Sequence, residues 1–95
     1  MIVEIENTDE VIDTNACELL NEATLTNESD SLQTKHYLYR DPHNRIIEYN
    51  FVRRANGDSH TDSQHRAWIV KKRKDASEII RATVDLTEYF PEKTA

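Results

Sequence analysis

Two runs of aromatic and β-branched residues, His36-Tyr37-Leu38-Tyr39-Arg40 and Arg45-Ile46-Ile47-Glu48-Tyr49-Asn50-Phe51-Val52-Arg53, flank the tetrapeptide Asp41-Pro42-His43-Asn44. Asp and Pro suit the first two positions of a type I turn, and the flanking composition suits strands, so this stretch predicts a β-hairpin. If Asp41 and Asn44 close the turn, Leu38 faces Ile47 and Tyr39 faces Ile46 across the strands. One face then carries Leu38, Ile47, Tyr49 and Phe51 and reads as core. The other carries Tyr37, Tyr39, Ile46, Glu48, Asn50 and Val52 and is mixed, either covered by a further element or left as an aromatic platform for a partner. Of the two, the covered version is the expectation.

Around that hairpin the pattern is less regular. Met1, Val3 and Ile5 alternate with Ile2, Glu4 and Glu6, which predicts a short N-terminal strand. Val11, Ile12, Ala16, Leu19, Leu20 and Ala23 recur at helical spacing behind the capping residues Asn7 to Glu10, which predicts an amphipathic helix over about residues 9–25. Thr26 to Ser31 lacks any apolar side chain, so about 26–34 reads as a mobile loop. Asn56-Gly57-Asp58 opens a turn and a long polar loop before Ala67-Trp68-Ile69-Val70 resumes a strand. Asp75 to Phe90 allows two readings. Asp75 and Glu78 could form a capping box for a helix, with Ala76, Ile79, Ile80, Thr83, Leu86 and Phe90 on one face. The density of β-branched residues favours instead a strand over about 79–87. Residues 91–95 read as a frayed tail. The sum is a single α+β domain over 1–95, one N-terminal amphipathic helix packed on a sheet of four or five mainly antiparallel strands.

Charge is sharply segregated. Residues 1–34 hold nine acids and neither Lys nor Arg, residues 35–74 hold ten bases against four acids, and the whole chain carries −6. Such halves can neutralise each other across the fold, or present surfaces to partners. The lone Cys17 cannot form an internal disulfide, the acidic start is unlike a signal peptide, and no apolar run reaches membrane-spanning length. The expectation is a cytoplasmic protein with no membrane partner.

Chemistry lacks its usual parts. Gly57 is the only glycine, which excludes a glycine-rich phosphate loop, and Cys17 beside Asp13 and Glu18 sits where a thiolate is disfavoured. His36, His43, His60 and His65, with Asp41 and Asp62, form the sole candidate metal or acid–base set, and their spacing matches no common zinc site. The sequence therefore favours a small non-enzymatic binding protein without cofactor or metal. It would act as an inhibitor or adaptor on a larger protein or nucleoprotein complex, through an acidic helix face of Asp13, Glu18, Glu22, Glu28 and Asp30, an aromatic sheet face of Tyr37 and Tyr39, or both. The alternative is nucleic-acid binding through the basic middle, with Arg53, Arg54, Arg66, Lys71, Lys72, Arg73 and Lys74 on phosphates. A His-based metal enzyme comes third.

Overall fold

The computed structural model describes residues 2–27, 32–54 and 64–90. The expected turn at Gly57, the polar loop after it with His60 and Asp62, the acids Glu28 and Asp30, and the tail at 91–95 lie outside those residues. The described residues form six strands: β1 (Ile2–Glu4), β2 (Val11–Asp13), β3 (Glu18–Asn27), β4 (Leu32–Arg40), β5 (Ile46–Arg54) and β6 (Gln64–Val70). One α-helix, α1 (Glu78–Thr83), follows, with 3-10 turns at Thr14–Ala16, Arg73–Asp75 and Leu86–Glu88. β3 to β6 form an antiparallel meander in sequence order, and β1 and β2 form a separate two-stranded ribbon.

This overturns the α+β reading. No N-terminal helix exists: residues 9–25 supply β2, a 3-10 turn and most of β3. The apolar residues that looked helical also satisfy a strand, because Glu22-Ala23-Thr24-Leu25-Thr26 alternates and ends in Thr, a β-branched residue that loses side-chain freedom in a helix. Pairing with the free side of β4 then decides between the two. The expected 26–34 loop is correspondingly narrower, since Thr26 pairs with Gln33 and Asn27 with Leu32. At the other end, the strand read over 79–87 is a short helix followed by a 3-10 turn. There the helical alternative lay closer, since Ala76, Ile80 and Leu86 are buried and Ile79 and Phe90 pack beside them, but the helix starts from Ser77 without a side-chain cap and Thr83 is exposed.

The hairpin is present, with a register one residue from the simple expectation. Asn44 N–H donates to the Asp41 carbonyl at 2.9 Å, closing the expected turn. Asn44 itself adopts φ 65°, so the loop is a type I turn followed by a left-handed residue, and Asp41 N–H donates to the Arg45 carbonyl at 3.0 Å. That extra residue pairs Tyr39 with Ile47, Tyr37 with Tyr49 and Leu38 with Glu48. Because side chains alternate, the one-residue offset exchanges the faces.

The four-stranded sheet is covered on both sides. On one face Val3, Ile5 and Ile12 from the β1–β2 ribbon pack on Ile47, Tyr49 and Ala67, with Tyr37, Tyr39, Phe51 and Ile69 at the margin. On the other, Ala76, Ile80, Val84 and Leu86 from the C-terminal segment pack on Ala23, Leu38, Ile46 and Val70. The tyrosine face is thus covered in part, by the ribbon. No helix among the described residues is long and apolar enough to cross a membrane.

Candidate functional site

β3 is the edge of the sheet on the side away from the ribbon's contact with β6. Its outer backbone edge has no strand partner among the described residues, and of its side chains from Glu18 to Thr26 only Ala23 is buried, with Leu20 half-buried. A register shift between Leu19 and Asn21 marks a β-bulge, after which pairing with β4 runs without interruption from Asn21 to Asn27. The bulge separates the two acids of the strand. Glu18 lies opposite Arg40 on the α1 face, whereas Glu22 lies opposite Tyr37 on the ribbon face. Asp13 is placed elsewhere, its carboxylate accepting the Asn15 N–H at 3.0 Å as the cap of the first 3-10 turn.

The ribbon rests on β5 and β6, so the β3–β4 half of that face keeps Tyr37 and Tyr39 half-buried beside exposed Leu19, Glu22 and Thr24. The rings form a row: Tyr37 stacks at 6.0 Å on both Tyr39 and Tyr49, and Tyr49 stacks at 5.8 Å on His65, with which its hydroxyl also shares a hydrogen bond. Burial raises the Tyr39 pKa above the ordinary phenol value, reinforced by the neighbouring Tyr37, Cys17 and Glu22. Cys17 is likewise raised, by burial first and then by Asp41 and Asp13, which keeps its thiol protonated and a poor nucleophile. The structure therefore brings Glu22, Tyr37 and Tyr39 together on one surface and leaves Glu18 and Asp13 apart from it.

On the opposite face a polar cluster lies under the start of α1. Glu48 is fully buried, its carboxylate accepting the Ser77 N–H at 2.7 Å through Oε1 and approaching His36 Nδ1 at 3.4 Å through Oε2. Ser77 Oγ also lies 3.3 Å from His36 Nδ1. Serine, histidine and a carboxylate are the components of a nucleophilic triad, but a relay needs the acid on one ring nitrogen and the hydroxyl on the other. Here both contacts converge on Nδ1. The cluster is consequently a brace that fastens α1 to β4 and β5, with Nε2 the ring nitrogen left for any further contact. His36 and Ser77 also line a shallow groove of 430 Å³ between β3 and α1, completed by Leu25, Glu78, Ile79 and Ala82.

The basic residues do not assemble. Arg66 holds Glu6 through two hydrogen bonds of 2.7 and 3.2 Å and lies 5.4 Å from the Trp68 ring centre. Arg45 is held by Glu10 at 2.6 Å and Asp41 at 2.7 Å. Glu6 is pulled below the ordinary carboxylate range chiefly by its hydrogen bond to Arg66. These pairs are the internal neutralisation that the charge segregation allowed. The backbones of Arg53 and Arg54 lie at one end of β5, while Lys71 to Lys74 follow the opposite end of the sheet, past the Ile46–Val70 pair. Six residue steps along the strand separate the Val52–Gln64 and Ile46–Val70 pairs, roughly 20 Å. Lys71, Lys72 and Lys74 are exposed, and the Lys71 and Lys72 backbone N–H groups both donate to Asp75 Oδ2.

The histidines are dispersed too. His36 is buried on the α1 face, His65 flanks the tyrosine row on the other, and His43 is exposed in the hairpin turn. No group of three or more His, Cys, Asp or Glu fit to hold a metal occurs among the described residues. Nothing in the sequence pattern singles out Leu25, Ser77 or Ala82, and Glu48 and Ile79 stand out only as members of a hairpin face and a helical face. The available signal was the left-handed Asn44, which sets the register that brings His36 and Glu48 onto one face. Comparison of the chain with protein-family models, curated proteins and solved structures gives no match.

Proposed function

We propose that this chain is a non-enzymatic binding module, an adaptor or inhibitor that docks on a larger protein or nucleoprotein complex by taking an extended segment of it along β3. The observation that carries the reading is the ten-residue edge strand itself, whose outer backbone groups have no strand partner among the described residues. Unpaired edge N–H and C=O groups are a template for an added strand, with main-chain hydrogen bonds supplying affinity and alternate side chains supplying selectivity. β3 carries Glu18 and Glu22 and neither Lys nor Arg, so a basic segment is the complementary occupant. Tyr37, Tyr39 and Leu19 extend the contact surface on the ribbon face, where Glu22 sits among them. Edge charges and bulges also discourage indiscriminate pairing, so the bulge at Leu19–Asn21 confines docking to the regular stretch after it.

The test uses heptapeptides of alternating Lys and Thr, or Glu and Thr, titrated into the isotope-labelled full chain at low and physiological ionic strength. The expected result is chemical-shift change and slowed amide exchange along Glu22–Asn27 with the Lys peptide alone, weakening as salt rises. Absence of any response at β3 at low salt refutes the reading.

A further inference from the structure

The groove between β3 and α1 adjoins the regular stretch of the edge, and the two features define one composite site. Leu25 is 53% exposed and belongs to both: it lies on the strand and lines the groove with Ile79 and Ala82. We infer that this groove anchors an apolar side chain of an extended basic segment that pairs with β3 over Glu22–Asn27. The inference rests on the edge-docking reading above and names the class of segment it selects.

Alternation along β3 fixes the pattern. Glu22, Thr24 and Thr26 are on the ribbon face, and Ala23 and Leu25 are on the α1 face. An added strand alternates in the same way, so its side chains beside Glu22 point to one face and those beside Leu25 to the other. The matching segment therefore has Lys or Arg on alternate positions and a Leu-sized aliphatic residue between them, directed at the groove. Glu78 is the one carboxylate among the groove-lining residues, which adds to the preference for a basic neighbour. His36 spends Nδ1 on Glu48 and Ser77, leaving Nε2 as the one ring nitrogen able to meet the occupant. A volume of 430 Å³ is in the range of about 300–1,000 Å³ found for small-ligand pockets, but this groove is shallow, which favours a side chain delivered by a docked backbone over a free small molecule. A second copy of the chain is the poorer occupant, because β3 against β3 sets an acidic strand against another with no base on either.

Two heptapeptides test the site, both with Lys at odd positions and Thr at the second and sixth, one with Leu and one with Ala at the centre. Binding to the full chain is followed by amide shifts and by calorimetry, with sedimentation of the free protein alongside. The Leu peptide is expected to bind about tenfold more tightly than the Ala peptide. Ala82→Trp, which fills the groove from an exposed helical position, and Leu25→Thr, which removes its wall from an exposed strand position, should each abolish that difference. Glu22→Lys should weaken both peptides. Equal binding of the two peptides, still sensitive to Glu22→Lys, overturns the groove anchor and leaves edge docking standing. No binding of either peptide at β3 overturns both, and a dimer of the free protein paired through β3 reassigns the site to a second copy.

Discussion

Asp41 accepts three hydrogen bonds within five residues of chain: the His43 N–H at 3.0 Å and the Arg45 N–H at 2.7 Å on Oδ1, and Arg45 Nε at 2.7 Å on Oδ2. Burial pushes its pKa up, but the Arg45 backbone N–H, the guanidinium and the His43 N–H together outweigh that, and the group ends below its ordinary value of 3.8. An acid depressed in the folded state contributes stability that is present above its unfolded pKa and is lost as pH falls through the folded one. Urea denaturation should accordingly show wild-type stability declining below about pH 4. Asp41→Asn, which turns an N–H donor or a single oxygen towards Arg45, should be less stable at neutral pH by about 1–3 kcal/mol and should show a shallower acid decline. Glu48 is a harsher case. Removing its carboxylate in Glu48→Ala leaves the half-buried Ser77 N–H and the buried His36 without that acceptor, and thermal unfolding should report a loss of about 1–3 kcal/mol for each group left unsatisfied. Glu48→Gln keeps an acceptor for Ser77 and should lose less.

At the scale of elements, the β4–β5 hairpin was legible in the sequence through its composition and its Asp-Pro turn, whereas its register was not. A type I turn closed from Asp41 to Asn44 can run straight into paired strands or add one left-handed residue, and only the second matches strand twist. That single choice moved Tyr37 and Tyr39 to the face of Ile47 and Tyr49, and placed Glu48 with Leu38 under α1. Replacing Asn44 by Val should therefore destabilise the hairpin by about 1–2 kcal/mol, since a β-branched residue resists positive φ, while Gly should be neutral or slightly stabilising; guanidinium titration of both variants checks it. The N-terminal strand and the strand at Ala67–Val70 were legible too, as β1 and β6, and the two readings that failed did so for a different reason. Residues 9–25 and 79–87 each satisfy helical and strand periodicity in part, and their state is set by which neighbour offers an unpaired edge or an apolar face. β3 exists because β4 needs a partner. α1 exists because Ser77 and Glu48 hold its first turn over Leu38 and Ile46. Of the candidate site, the acids and tyrosines were visible as residue types, but their union on one surface depended on the register of two strand pairs, which no local pattern encodes.

Across the whole molecule, acids and bases far apart in the chain meet where the ribbon lies on the sheet: Glu6 with Arg66 and Glu10 with Arg45. The same contact buries Ile5, Val3 and Ile12, and Glu6 N–H donates to the Ala67 carbonyl at 2.8 Å. Which of these fastens the ribbon can be decided by magnitude. Solvent-exposed ion pairs contribute about 0–1 kcal/mol and weaken with salt, and Arg66 is exposed in its pair. Ile5 is 1% exposed, and truncating a buried isoleucine typically removes about 2–5 kcal/mol. Ile5→Ala should then lower the urea midpoint far more than Glu6→Gln, and raising salt should barely move the wild type. Should Glu6→Gln prove the more damaging, the segregated charges would be what joins the layers, and the acidic first third would be committed to holding the fold together at the expense of the partner surface at β3.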